Sequence, residues 1–215
     1  MERKIIILGA SGGCLDIVNL IDDINKQNKK IKYKIFGFLD DRITKKAVHG
    51  IKIIGKFADA KDYENKCYFV TAIGSSKNFR NIKDTLKNLK INKKRFLTLI
   101  HPSATISKFS IIGYGSLIFQ NVTISTNATI GDFVQILPNA VINHDSLIGN
   151  YCKINTSCNI SSKVTIGDYC YLGAGSIIKE KTIIYSGNLI GMGSVVIKSI
   201  NTKNNTVCGN PAKFI

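Results

Sequence analysis

The sequence has no tryptophan, only three prolines and only three histidines in 215 residues. No apolar run approaches the roughly 18 residues needed to span a bilayer as a helix. The opening "MERKIIIL" carries basic residues, but its apolar run is too short for a signal peptide and leads into glycines. The expectation is a soluble, cytoplasmic protein. Charged residues are sparse at 20%, while β-branched residues are abundant.

CxxC spacing is also missing. The six cysteines are Cys14, Cys67, Cys152, Cys158, Cys170 and Cys208, so a zinc ribbon or a thioredoxin-type centre is unsupported. There is no RNP-like, zinc-finger or helix-turn-helix pattern and no dense basic stripe with aromatics between, which argues against nucleic acid as a partner. The formal net charge is +16. Residues 1–100 hold 22 Lys and Arg against 10 Asp and Glu, and residues 101–215 hold 8 against 4. That excess fits attraction of phosphate-bearing ligands. It fits an AT-rich coding sequence better, because Lys, Asn and Ile are over-used together.

What is present is a repeat. From Ile106 to Val196, sixteen successive positions at a step of six are branched aliphatic. The position two before each is nearly always small, as at Ala104, Ser116, Ala140, Cys152, Cys158 and Cys170. Glycine often follows the aliphatic residue, as at Gly113, Gly131, Gly149, Gly167, Gly173 and Gly191. A period of six belongs to the hexapeptide repeat of a parallel β-helix. Each short strand turns its aliphatic residue inward, and a tight corner follows where Gly or Asn takes positive φ. Three strands close a coil of eighteen residues, so Ile106 to Val196 spans about five coils. The phase never slips over that range, so no loop leaves the solenoid. A pocket must then form between solenoids or with help from the first hundred residues.

The first hundred residues read differently. "KIIILGASGGCLD" is a strand, a glycine turn and a helix start, and "YKIFGFLDD" is a second strand ending in two aspartates. "CYFVTAIGSS" is a third strand, followed by a helix near 77–90, and "RFLTLI" is a last strand. Alternating strands and helices imply a small parallel α/β sheet, whose ligands bind at the carboxyl ends of its strands. Gly9 to Gly13, Asp40–Asp41 and Gly74–Ser76 all fall at such ends. "GASGG" does not have the GxGxxG spacing of an NAD fingerprint, and on its own it is equally a tight turn. Glycine N–H groups at a helix start can take phosphate, and aspartates can read ribose hydroxyls or a base N–H. The division expected is a Rossmann-like unit over 1–100 and a parallel β-helix with its tail over 101–215.

Against this regular background stands His144. It lies two residues after inward Ile142 and two before inward Ser146, so it points outward near a corner. Surface histidines are mostly idle, but Asp145 beside it offers a carboxylate that can fix the imidazole tautomer and raise its basicity. Adjacent residues diverge in a strand, so the pairing needs the corner. His49 and His101 do not extend it to a metal site. His101 is 43 residues from His144, which is not a multiple of 18, and His49 lies in the other unit.

The combination of "GASGG", "GFLDD", "AIGSS", "LIHPSA", "INHDSLIG", "YLGAGS" and "VCGNPAKFI" resembles the two-domain left-handed β-helix acetyltransferases of bacterial surface sugars. These are the N-acetyltransferases of nucleotide-linked bacillosamine and perosamine and the related sialic acid O-acetyltransferases. The resemblance covers essentially the whole chain. It implies a homotrimer with acetyl-CoA in the cleft between adjacent β-helices, no metal, and a UDP-, dTDP- or GDP-linked amino sugar on the N-terminal unit. It implies that Ser11, Gly12 and Gly13 approach the diphosphate and sugar, that Asp40 and Asp41 read the base, and that Gly74 lines the same pocket. His144 matches the general base, with Asp145 as its acidic neighbour, and Gly173, Ala174 and Met192 match the coenzyme A region. Two positions depart from the family pattern. Gly13 stands where histidine is frequent, and Lys153 stands where a histidine commonly touches acetyl-CoA, so the resemblance implies acetyl-CoA binding for Lys153 as well, through a point charge. The implied activity is acetyl transfer to the 4-amino group of a 4-amino-4,6-dideoxy sugar for surface-glycan synthesis. Sugar O-acetylation and a non-catalytic nucleotide-sugar-binding or scaffold β-helix are the alternatives.

Overall fold

The computed structural model describes residues 2–28 and 30–215. The chain opens with a five-stranded sheet. Strands β1 (Glu2–Leu8), β2 (Lys32–Leu39), β4 (Ile51–Gly55) and β5 (Tyr68–Thr71) run parallel, and β3 (Ala47–Val48) adds an antiparallel edge, in the order β3-β4-β2-β1-β5. β1 lies in the interior, and its Ile5 to Leu8 are fully buried. Helix α1 (Cys14–Gln27) turns Cys14, Ile17, Leu20 and Ile21 onto the sheet, the one-face spacing of an amphipathic helix. The β3–β4 hairpin turns through His49 and Gly50, both at positive φ, a backbone that the sequence pattern did not reveal.

Two expectations need correction here. The helix near 77–90 is shorter. A 3-10 turn over Phe79–Asn81 leads into α2 (Ile82–Asn88), and Asn78 Oδ1 accepts from both the N–H and the hydroxyl of Ser75 to set that turn. "RFLTLI" is also not a strand of the first sheet. Leu97 N–H still reaches the Phe69 carbonyl at 3.0 Å, but Leu99 and Ile100 pair with Leu117 and Ile118 of the coil. The chain thus passes from sheet to solenoid within four residues, and Leu99, Leu117 and Phe119 share one core with Ile17, Leu20 and Ile21.

The solenoid follows the six-residue period at every step, as two-residue strands from Thr105–Ile106 to Val195–Val196. They stack in three parallel sheets. Face 1 runs from Thr105–Ile106 to Val195–Val196, and face 2 from Ile111–Ile112 to Ile183–Ile184. Face 3 runs from Leu99–Ile100 to Leu189–Ile190 and ends in a hairpin, Thr206–Gly209 with Ala212–Phe214. Each residue pairs with the one eighteen further on, as Ile124 with Ile142 and Ile142 with Ile160. The interior is a column of aliphatic side chains at about 0% exposure.

The small inward residues have a second task. Ser116, Ser146, Cys152, Cys158 and Cys170 each donate a hydroxyl or thiol hydrogen bond to the carbonyl fifteen residues on, at 2.9–3.3 Å. Those carbonyls belong to the next coil, so the small residues tie coil to coil from inside. All six cysteines are free.

The corners correct the reading of glycine. Positive φ falls three residues after each inward aliphatic residue, at fourteen successive corners from Gly115 to Gly193, and Asn, Asp, Ser, Lys, Phe and Tyr hold most of them. The glycines directly after the aliphatic residue have ordinary φ. They are needed because coils pass so closely that a Cβ on Gly149 would stand 2.6 Å from the Asp168 nitrogen. Phe133, Tyr151 and Tyr169 occupy three such corners at φ 55–59° and stack at 5.4 Å, with Phe96 packed on Phe133 edge-on. Left-handed backbone is unfavourable for aromatics, and the stacking between coils offsets it.

Of the three outer faces, the N-terminal unit covers face 3. Its outward Leu117 and Gln135 are buried and Lys153 and Tyr171 half-buried, whereas face 2 leaves Ile111, Leu147 and Ile183 exposed. Gly149→Ala, which blocks coil stacking, should lower the unfolding free energy by about 1–3 kcal/mol. Gly175→Asn, at φ +67 with open space around it, should change it by under about 0.5 kcal/mol. Thermal denaturation of the two variants measures the contrast, and equal losses would contradict it.

Candidate functional site

The carboxyl ends of β1, β2 and β5 meet the covered face 3 at a cavity of about 560 Å³. Ser11, Gly12, Gly13, Asp40, Asp41 and Gly74 all line it, so the six N-terminal candidates from the sequence gather in one place. The turn between β1 and α1 holds Gly9 at φ 99° and Gly12 at φ 59°, and α1 begins after Gly13 with no side chain capping it. The first-turn N–H groups of α1 are thus left without a side-chain cap beside the cavity, an arrangement that favours an anion.

The two aspartates differ. Asp40 is 3% exposed. Its Oδ2 accepts from Ala10 N–H at 2.8 Å, and its Oδ1 from Arg42 and Ile43 N–H at 2.8 and 3.0 Å. Burial raises its pKa, but these three N–H groups outweigh burial and hold it below the ordinary carboxylate range. Asp40 therefore shapes the glycine turn from beneath. Asp41 is exposed; its Oδ1 accepts from Phe57 N–H at 2.8 Å and its carbonyl from Lys56 Nζ at 2.6 Å. Arg42 and Phe57 line the same end of the cavity, a lining that the sequence pattern did not single out.

His144 lies at the corner between faces 1 and 2. Asp145 takes φ 59° there, and the corner folds its carboxylate back to the ring, with Nδ1 2.8 Å from Oδ2. Asp145 Oδ1 accepts from Asn127 Nδ2 at 3.2 Å, one coil below. His144 and then Asn127 hold the Asp145 carboxyl below its usual range. With the proton of the neutral ring on Nδ1, the Nε2 lone pair faces outward, and no hydrogen bond occupies it among the described residues. That is the geometry of a general base.

Gly173, Ala174 and Met192 lie at the corner between faces 3 and 1. The Gly173 N–H is committed to the Ile190 carbonyl at 2.8 Å, and a Cβ there would stand 2.5 Å from the Met192 nitrogen. Coil stacking alone accounts for Gly173. Ala174 and Met192 are exposed, Met192 by 82%. Lys153, in contrast, emerges from the covered face 3. It lines the N-terminal cavity, and its Nζ donates to the Gly74 carbonyl at 2.7 Å. Burial pushes its pKa down, opposed only by the Asp16 carboxylate. Within one chain, then, His144, the Ala174–Met192 corner and the cavity with Lys153 occupy different sides of a triangular prism.

His101 joins the two units. Its Nε2 is 3.2 Å from Asp23 Oδ2 of α1, and its Nδ1 is 2.8 Å from Ser103 Oγ. Among the described residues, no three His, Cys, Asp or Glu side chains gather as metal ligands. No described helix is long and apolar enough to cross a membrane.

The PglD N-terminal domain family matches residues 4–86, and the bacterial transferase hexapeptide family matches 127–162 and 145–180. No curated protein sequence matches the chain. Among solved structures, the acetyltransferase domain of PglB from Neisseria gonorrhoeae in complex with acetyl coenzyme A is 28% identical, with TM-score 0.85 and full coverage of both chains. WeeI from Acinetobacter baumannii is 25% identical, with TM-score 0.81 and full coverage of both chains. PerB from Caulobacter crescentus, solved with CoA and GDP-perosamine, shares the fold at 21% identity, with TM-score 0.85 over 99% of this chain and 97% of that one. Fold and family matches together define an acetyl-CoA-dependent acyltransferase built on a left-handed β-helix. Within that class, residues 4–86 match the PglD N-terminal domain and residues 127–180 the hexapeptide repeat, the order of the two units in the fold.

Asp40→Ala removes the acceptor of the buried Ala10 N–H and of the less buried Arg42 and Ile43 N–H groups, and should lower stability by about 1–3 kcal/mol. Because its folded pKa is depressed, Asp40 contributes above its unfolded value of about 3.9 and the contribution is lost as pH falls through the folded value. The acid limb of the stability curve should therefore be shallower in Asp40→Ala than in wild type. Denaturant titrations from neutral pH downward read this, and parallel curves would contradict it.

Proposed function

We propose that the protein moves acetyl from acetyl-CoA to the 4-amino group of a nucleotide-linked 4-amino-4,6-dideoxy sugar, as a step in bacterial surface-glycan synthesis in the cytoplasm. The observation that carries this reading is the His144–Asp145 pair, with Nε2 open to solvent on a rigid corner. Residues 1–100 hold the nucleotide-sugar through Ser11, Gly12, Gly13, Asp41 and Gly74, with Asp40 supporting the turn. Residues 101–215 hold acetyl-CoA along the Ala174–Met192 corner.

An ammonium cannot attack a thioester, so the acceptor first loses its ammonium proton to solvent, and the amine nitrogen must shed a second proton as it attacks. His144 Nε2 takes it, a role worth roughly 10²–10⁴ in rate, and Asp145 stabilises the imidazolium that forms. The nitrogen bonds to the acetyl carbon, and the carbonyl oxygen becomes an oxyanion. The Ala174 N–H, which has no partner among the described residues, is the backbone donor that stabilises that charge. The carbon–sulfur bond then breaks, and the thiolate leaves with a proton returned from the imidazolium. These residues perform the whole sequence without a metal ion.

The same geometry calls for a second copy. His144 and the cavity lie on different sides of one prism, so a neighbour must bring them together. The exposed apolar face 2, with Ile111 at 64%, Leu147 at 47% and Ile183 at 43%, supports a homotrimer packed along β-helix faces.

Two measurements test the reading. Acetyl-CoA consumption with a panel of UDP-, dTDP- and GDP-linked 4-amino sugars should show turnover with one of them, and His144→Ala should lower kcat by about 10²–10⁴ without changing oligomeric state. Turnover only with hydroxyl acceptors would select sugar O-acetylation, and no turnover at all would select a binding or scaffold role. Separately, Leu147→Lys should shift the sedimentation of the assembly toward monomer and abolish turnover. A fully active monomer would sink the shared site.

A further inference from the structure

Beside the large cavity lies a small one of about 200 Å³, between α1 and face 3 of the solenoid. Gly13, Ala72 and Lys153 line both, so the two spaces join at Lys153. The small cavity has an apolar side made by Ile17, Phe119 and Leu137 and a polar side with Asp16 and Gln135. The Gln135 amide nitrogen is committed to the Thr71 and Ile73 carbonyls at 2.9 and 3.1 Å, which leaves its oxygen as an acceptor. One apolar flank with hydroxyl-reading groups opposite suits a single sugar ring. The large cavity, with the glycine turn at one side and Asp41, Arg42 and Phe57 at its far end, suits a nucleoside diphosphate.

Lys153 therefore stands at the neck, where a nucleotide would join its sugar. Only one of its three N–H donors is committed, to the Gly74 carbonyl. Among the described residues, no carboxylate lies within ion-pair distance of it. Burial disfavours its charge, and Asp16 opposes this only from a distance. A buried cation that lacks a counter-ion is stabilised by an incoming anion.

We propose that Lys153 anchors the sugar-proximal phosphate of the nucleotide-linked acceptor, and that it belongs to acceptor binding in its own chain and not to acetyl-CoA binding. This rests on the nucleotide-sugar reading above and adds to it the residue that recognises the diphosphate. The small cavity beyond Lys153 is then the sugar subsite. Gly13 is small at its entrance, where a Cβ would already stand 3.3 Å from Asp16 Oδ2.

Lys153→Gln is the informative variant, because glutamine keeps an N–H donor for Gly74 and removes the charge. Calorimetric titration with UDP and UMP, dTDP and dTMP, and GDP and GMP gives the preference of each protein for the diphosphate over the monophosphate. For the base that the wild type binds, that preference should shrink about tenfold or more in Lys153→Gln, the size of a lost charge-assisted hydrogen bond. It should return in part in Lys153→Arg. Acetyl-CoA affinity and unfolding temperature should stay as in wild type. An unchanged diphosphate preference, or weakened acetyl-CoA binding, would overturn the assignment of Lys153 while leaving the activity standing. A wild type that binds none of the six nucleotides would overturn the nucleotide-sugar reading and this inference with it.

Discussion

The close parallel stacking of one eighteen-residue coil on the next governs everything else in this chain. Strands in a sheet lie about 4.8 Å apart, and here that spacing is imposed three times per coil with no slack between. Wherever backbone crosses backbone directly, as at Gly149 over Gly167 and Asp168, a Cβ has no room. Wherever the chain turns, it adopts positive φ at a fixed place. Inside, aliphatic side chains and Ser or Cys donors repeat in register. The outcome is a prism whose outward positions are set by residue number alone.

Such a prism can display groups but cannot enclose them. It has no loop to fold over a substrate, and outward neighbours along the chain point to different sides. His144 and Lys153 are nine residues apart in sequence and half a coil apart in space. The first hundred residues supply what the prism lacks. They seal face 3 through a core shared with Leu99, Leu117 and Phe119, and they bring the strand ends that make a concave space. Face 2 keeps its exposed Ile111, Leu147 and Ile183, an apolar strip of the kind that marks an interaction surface.

The parts of this architecture that follow from periodicity were legible in the sequence. Every coil strand from residue 105 to 196 lies where the period of six places it, and the outward direction of His144 follows from its offset to Ile142. The convergence of Gly12, Asp41 and Gly74 was legible because ligands collect at the ends of parallel strands. What escaped the sequence depends on contacts between distant segments. "RFLTLI" reads as a strand by composition, and only the availability of Leu117 and Ile118 as partners decides which sheet it joins. The aromatic corners at Phe133, Tyr151 and Tyr169 run against local preference and are explained only by the stack. Asp40 and Asp41 are adjacent and chemically identical, and only burial and hydrogen bonding show that Asp40 is committed to the turn while Asp41 stays exposed.

The pairing of His144 with Asp145 shows how a purely structural rule makes a chemical site inexpensive. In an extended strand the two side chains would point to opposite faces. At a β-helix corner the second residue must take left-handed backbone, and aspartate is among the few side chains that tolerate it well. The turn that the coil needs for closure is therefore the same turn that swings the carboxylate onto the ring. Asn127, at the same phase one coil below, meets the same backbone demand and binds the other carboxylate oxygen. The imidazole is thus oriented by residues that the solenoid would place there in any case, and it needs no separate supporting shell. The same reasoning bears on Lys153. Its position on face 3 is dictated by phase, so its contact with Gly74 depends on how the N-terminal unit docks and not on the repeat. A family of such prisms can then keep the corner chemistry constant and change acceptor recognition by altering the outward residues of the one covered face.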